Sequence, residues 1–161
     1  MLNANKPPEK KIVVGTDFSV RSDSAFAVAV ELGKSLGAEI IAVFVKNLDD
    51  LALAIRQDLK VNLRDKKMLA KETKNYIERG FEQLENKYAQ GYEKIRFVTL
   101  SGQPWSQILN VARKERASLI VTGTRSRSSL KKLVLGSTAA KLIEHSVCPV
   151  VTVGEKFSPR A

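Results

Sequence analysis

Five short apolar runs punctuate this chain, and each pair is separated by a segment whose apolar residues recur at helical spacing. The runs are residues 11–15, 39–45, 94–100, 117–122 and 149–153. Run 39–45 is apolar almost throughout, as a strand covered on both faces must be. Run 94–100 alternates and predicts an edge or near-edge strand. After the first run, Ser19 or Ser22 can cap a helix whose Ala25, Val28, Ala29, Leu32 and Leu36 share one face, and Gly37 stops it. Leu69, Tyr76, Ile77, Phe81, Leu84 and Tyr88 mark the core face of a charged helix over 66–89, ended by Gly91. Pro104 suits the first turn of a helix that buries Ile108, Leu109 and Ala112. A last helix is expected over 137–145. Residues 48–65 place Leu48, Leu51, Ile55 and Leu59 at helical spacing, which predicts a short amphipathic helix or a lid.

Strands alternating with helices imply an α/β domain: a five-stranded parallel sheet with helices on both faces and right-handed crossovers. The expected strand order is the flavodoxin-like, Rossmann-like 3-2-1-4-5. Strands 1 and 4 then flank the topological switch point, where ligands bind outside the carboxyl ends of the strands. The domain is expected over residues 10–154, with disordered tails at 1–9 and 155–161. No apolar run approaches the roughly 20 residues that span a bilayer, and the polar start with Pro7-Pro8 reads as neither signal peptide nor anchor. Cys148 is the single cysteine, so no disulfide forms within the chain, and a cytoplasmic location is expected. With 27 basic and 17 acidic side chains the net charge is +10, which favours anionic partners without choosing among them.

The switch point coincides with an unusual loop. Gly123 leaves the fourth run, Gly136-Ser137 opens the last helix, and small and basic residues lie between. Such a segment brings backbone N–H groups and positive charge against a phosphate. Gly123 allows a sharp bend and close ligand approach. The first N–H groups after Gly136 favour an anion by about 0.3–2 kcal/mol through the helix dipole. Ser137 is equally suited to cap the helix or to bond a phosphate. Arg125, Arg127, Lys131 and Lys132 serve either as phosphate partners or as a solvated basic face. The Thr16-Asp17 turn shares the crevice. Asp17 can accept a hydrogen bond from a base or ribose, hold a divalent cation through water, or satisfy nearby N–H groups as a turn residue.

These residues resemble the universal stress protein family across nearly the whole chain. The resemblance is carried by Ile-Val-Val-Gly-Thr-Asp-Phe-Ser at 12–19, Ser-Leu-Ile-Val-Thr-Gly-Thr-Arg-Ser-Arg-Ser at 118–128, Leu-Gly-Ser-Thr-Ala at 135–139 and Val-Cys-Pro-Val-Val-Thr-Val at 147–153. It implies the flavodoxin-like fold and a homodimer paired through the last strand. The nucleotide-binding branch carries a Gly-x2-Gly-x9-Gly-Ser/Thr loop. Gly123, Gly136 and Ser137 match it, whereas Ser126 stands at its second glycine and Gly15 stands where members often have proline. The resemblance implies that Asp17, Val45, Thr122 and Gly123 flank adenosine, beside Gly15 and Thr16. Ser126, Gly136, Ser137 and Thr138 would lie near ribose and phosphates.

The expected function is therefore an ATP- or other adenine-nucleotide-binding regulator of the stress response, with Mg2+ as an accompanying ion and with unidentified protein partners. The alternatives are a nucleotide-free dimeric interaction protein of the same fold and a slow ATPase. No catalytic residue is assigned, because hydrolysis needs a positioned water and no carboxylate other than Asp17 is placed near the loop. His145, the one histidine, falls at a helix end, and no second ligand supports a metal site. Cys148 is expected to pack as a small hydrophobe and Trp105 to pack at a surface edge. Basic residues at 64–67 are interrupted by Asp65, and aromatics are not interleaved with them, which disfavours nucleic acid.

Overall fold

The computed structural model describes residues 8–47, 66–124, 135–154 and 157. The expected helix or lid at 48–65 lies outside these residues, as do 1–7, 155–156 and 158–161 of the expected tails. The elements run β1 (Lys11–Thr16), α1 (Val20–Leu36), β2 (Glu39–Lys46), α2 (Lys66–Tyr88), β3 (Ile95–Ser101), α3 (Pro104–Glu115), β4 (Leu119–Gly123), α4 (Ser137–His145) and β5 (Val150–Val153). All strands pair in parallel, in the order β3-β2-β1-β4-β5. The expected order holds, and the alternating run at 95–101 is an edge strand.

The pleat sorts the central strands into two cores. Ile12, Val14, Ile40, Ala42 and Val121 face α1 and α2 and meet Ala25, Phe26, Ala29, Val30 and Leu84. Val13, Ile41, Val43 and Ile120 face the other way and meet Ile108, Leu109 and Ala112 of α3 and Leu142 of α4. Every one of these side chains is buried. Covering both faces explains why β1 and β2 read as continuous apolar runs.

Local signals end the helices where the sequence places the stops. Gly37 adopts a left-handed φ of 64° and donates its N–H to the Gly33 carbonyl at the end of α1. Ser19, rather than Ser22, is the α1 cap: its side chain accepts the Ser22 N–H. The expected faces of α2 and α3 are the buried ones. The face of α1 needs correction. Leu36 is exposed and Val28 and Leu32 are half-buried, while Phe26, Val30 and Gly33 are buried. Gly33 is required there by packing, because a Cβ would sit 2.8 Å from Ile40 Cδ1. Arg116 closes α3 with a φ of 52°, a left-handed conformation rare for a residue with a side chain.

At the amino ends of the strands, four charges tie four elements together. Lys11 Nζ lies 2.6 Å from Glu115 and 3.6 Å from Glu39, and Arg96 lies 2.8 Å from Glu39 and 3.0 Å from Glu115. The Lys11 and Arg96 hydrogen bonds hold the Glu115 carboxyl below its usual range despite partial desolvation. A carboxylate depressed in the folded state adds stability above its unfolded value, and that stability is lost as pH falls through the folded value. We predict that Glu115→Gln lowers the melting temperature at neutral pH. Its melting temperature should also fall less steeply than that of the wild type below about pH 4.3. Parallel melting curves against pH in the two proteins would show that the network contributes nothing.

Candidate functional site

The site begins where two strands separate. β1 and β2 stay in register to Thr16 and Phe44, and β4 and β5 stay in register to Gly123 and Val153. The β1–β4 register ends earlier, at Val14 and Val121. Gly15 and Thr16 on one side and Thr122 and Gly123 on the other therefore border a gap at the carboxyl ends, where the sheet changes winding direction. Val45 lies at the same end of β2, half-buried.

On the β1 side the chain turns through a compact polar knot. The Phe18 N–H donates to Thr16 Oγ1 at 3.0 Å, and the Asp17 N–H donates to Ser22 Oγ at 3.3 Å. The Ser19 N–H donates to Asp17 Oδ1 at 3.0 Å, which orients the carboxylate. The Thr16 and Ser22 hydroxyls lie 3.1 Å apart, and both residues are buried. Asp17 thus acts as a turn-satisfying residue, in the turn that follows the carboxyl end of β1. Burial pushes the neighbouring Asp23 carboxyl up, while Lys87, 4.0 Å away, opposes the shift.

On the β4 side the backbone ties two distant points together. The Thr124 N–H donates to the Val153 carbonyl at 3.0 Å, and the Gly136 N–H donates to the Thr124 carbonyl at 2.7 Å. The start of α4 is thereby held at the end of β4. Gly136 is the N-cap, with extended backbone and no side-chain capping bond, and α4 has no acidic residue in its first turn. Positive dipole potential at this end is therefore not neutralised by its own cap. Ser137 is exposed and Thr138 half-buried. Thr122 is buried and donates to the Gly123 carbonyl at 3.3 Å.

The structure therefore brings Thr16, Asp17, Thr122, Gly123 and the Gly136–Thr138 helix start to one end of the sheet. Arg125, Ser126, Arg127, Lys131 and Lys132 lie outside the described residues. Gly15 has a packing reason for its identity, since a Cβ would stand 2.7 Å from Ile108 Cδ1 of α3. Phe18 escaped the sequence analysis. Its φ is 57°, and its ring stacks on Phe44 at 4.7 Å. The one available signal was Gly80, a glycine in the interior of α2 with no local reason to be there. Among the described residues no three His, Cys, Asp or Glu side chains gather as a metal site requires. No helix among them is long and apolar enough to cross a membrane. Trp105 and Cys148 pack half-buried against the α3–α4 core, and the His145 ring lies 5.7 Å from that of Trp105.

Comparison with known proteins agrees with this fold. The model of the universal stress protein family matches residues 9–154. Universal stress protein YxiE of Bacillus subtilis is 32% identical over 147 residues, covering 89% of this chain and 97% of its own. The solved structure of MJ0577, a universal stress protein of Methanocaldococcus jannaschii, superposes with a TM-score of 0.68 at 27% identity, covering 92% of this chain and 98% of its own. A universal stress protein of Archaeoglobus fulgidus solved in complex with dAMP shares the fold, with a TM-score of 0.58 at 20% identity, covering 89% of this chain and 96% of its own.

The polar knot generates a stability prediction. Thr16→Val removes the acceptor of the Phe18 N–H in a buried setting and keeps the side-chain volume. It should cost about 1–3 kcal/mol in denaturant unfolding, whereas Thr16→Ser, which keeps the hydroxyl, should cost less. Equal stability of the valine variant and the wild type would show that the bond is replaceable by water.

Proposed function

The chain belongs to the universal stress protein family, and on that premise we propose that it binds an adenine nucleotide at the carboxyl ends of β1 and β4 and acts as a ligand-dependent regulator of the stress response. The observation that carries this is the early parting of β1 from β4 beside a helix start that has neither side-chain cap nor acidic residue. In this proposal the base and ribose lie between Asp17 and Val45 on one side and Thr122 and Gly123 on the other. The phosphates meet the backbone of Gly136, Ser137 and Thr138. Arg125, Arg127, Lys131 and Lys132 supply positive charge from the sequence between. The fold neighbour solved with dAMP supports an adenine nucleotide as the ligand class. ATP with Mg2+ is the form we favour, since the basic loop suits several phosphates.

Two further parts of the proposal concern assembly and location. β5 pairs only with β4 among the described strands, and Ile143 of α4 and Val147, just before β5, are exposed. A second copy added along that edge gives the homodimer the family resemblance implies, and sedimentation at micromolar concentration should return the mass of a dimer. A cytoplasmic setting suits the free thiol of Cys148.

Calorimetric titration of nucleotide-stripped protein with ATP and Mg2+ tests the site. We expect low-micromolar binding, about −8 kcal/mol. Gly136→Asp should abolish it without unfolding the protein. Gly136 has a negative φ of −61°, so an aspartate fits the backbone there, caps α4 with its carboxylate, and repels phosphate from the same N–H groups. Wild-type affinity in Gly136→Asp would refute the phosphate assignment. Ser126→Gly should tighten binding.

A further inference from the structure

The geometry points to Phe18 as a positioning residue: its ring, clamped between β2 and α2, fixes the turn that aims Asp17 at the crevice, so that the docking of α2 sets nucleotide affinity. This rests on the adenine-nucleotide proposal, which gives Asp17 its ligand.

Phe18 holds a φ of 57°, a conformation that residues with a Cβ leave unless their surroundings hold them. The backbone hold is local. The Phe18 N–H is bonded to Thr16 Oγ1, and the next N–H, of Ser19, is bonded to Asp17 Oδ1. The ring supplies the second hold. It stacks on Phe44 at 4.7 Å and 12°, and it meets Tyr76 and Phe81 of α2 edge-on at 5.7 and 5.1 Å. Such offset and edge contacts are the favoured aromatic geometries.

Gly80 shows that α2 is shaped around this ring. A glycine inside a helix is unfavourable relative to alanine, and this one is buried. A Cβ added there would lie 2.6–2.7 Å from three ring carbons of Phe18. The α2 backbone therefore approaches the ring as closely as a chain can, and it does so one residue from Asp17. Release of the ring frees the turn to relax to negative φ, which breaks the Ser19–Asp17 bond that orients the carboxylate.

The test compares the full-length wild type with Phe18→Ala, Gly80→Ala and the double variant. Two readouts are taken: amide hydrogen exchange without ligand, and titration with ATP and Mg2+ well below each melting temperature. We expect the Phe18 and Ser19 amides to exchange about tenfold faster in either single variant, with β1 and β4 amides unchanged. We expect ATP to bind about tenfold more weakly in both. Gly80→Ala acts through the ring, so it should add little in the Phe18→Ala background. A purely structural ring would lower the melting temperature and leave the affinity of the folded protein alone. Unchanged exchange at Phe18 and Ser19 overturns the proposal whether or not ATP binds. Faster exchange with wild-type affinity overturns it too. A wild type that binds no ATP overturns the nucleotide proposal and the positioning role with it, and its own titration reveals that case. Gly80→Ala keeps the ring and adds one methyl, so the test survives a Phe18→Ala chain that fails to fold.

Discussion

Burial of the central strands on both faces is the constraint from which the rest of the structure follows. β1, β2 and β4 are apolar on each side of the pleat, so each face needs its own helices. α1 and α2 cover one face, and α3 and α4 cover the other. A right-handed chain can satisfy both faces by winding outward from β1 in two directions. That reversal makes β1 and β4 neighbours whose following segments leave for opposite faces. Their separation beyond Val14 and Val121 is a direct consequence. The crevice is thus produced by the demands of the core.

The two ends of the sheet are built differently. At the amino ends, Lys11, Glu39, Arg96 and Glu115 neutralise one another across four elements. At the carboxyl ends of β1 and β4, the fixing groups are hydroxyls, backbone and one carboxylate: Thr16, Ser22, Ser19, Asp17 and the Thr124–Gly136 link. None of these groups is an acidic cap on α4, so the potential of that helix start is left in place. An ion-pair network at the same place would compete with an anionic ligand for the N–H groups of α4. On the proposed function, the ion-pair network and the ligand therefore sit at opposite ends of the same strands.

Much of this was legible in the sequence, and the failures have a common cause. The parallel sheet followed from alternation and its order from the five-strand doubly wound pattern, and Gly37, Pro104 and Gly136 marked helix ends because their backbone demands are local. The apolar stripes of α2 and α3 were also read correctly, since those helices are amphipathic. α1 was misjudged at Leu36, Phe26 and Val30 because it is apolar over a wide arc, and its angle on the sheet decides which part is buried. Gly15 and Gly80 look alike in sequence to any flexible glycine. Their identities are set by Ile108 and Phe18, 93 and 62 positions away by residue number, and no local pattern encodes that. Phe18 and Arg116 likewise adopt left-handed backbone without the glycine or asparagine that usually announces it.

Those two residues bear on the one departure from the family's loop pattern. Where the pattern has its second glycine, this chain has Ser126. If that position needs a left-handed backbone, a serine costs roughly 1–2 kcal/mol relative to glycine. A penalty of that size weakens binding by about one order of magnitude, and only if the strain is taken up on binding. Micromolar affinity corresponds to about 8 kcal/mol, so the loss is a fraction of the whole. Phe18 and Arg116 show that this chain already holds residues with side chains at φ values of 57° and 52° where neighbouring bonds fix them. On the proposed function, Ser126 is therefore better understood as a change that tunes phosphate affinity than as one that removes it. On the same proposal, the groups that decide whether the site works at all are the helix start at Gly136 and the placement of Asp17.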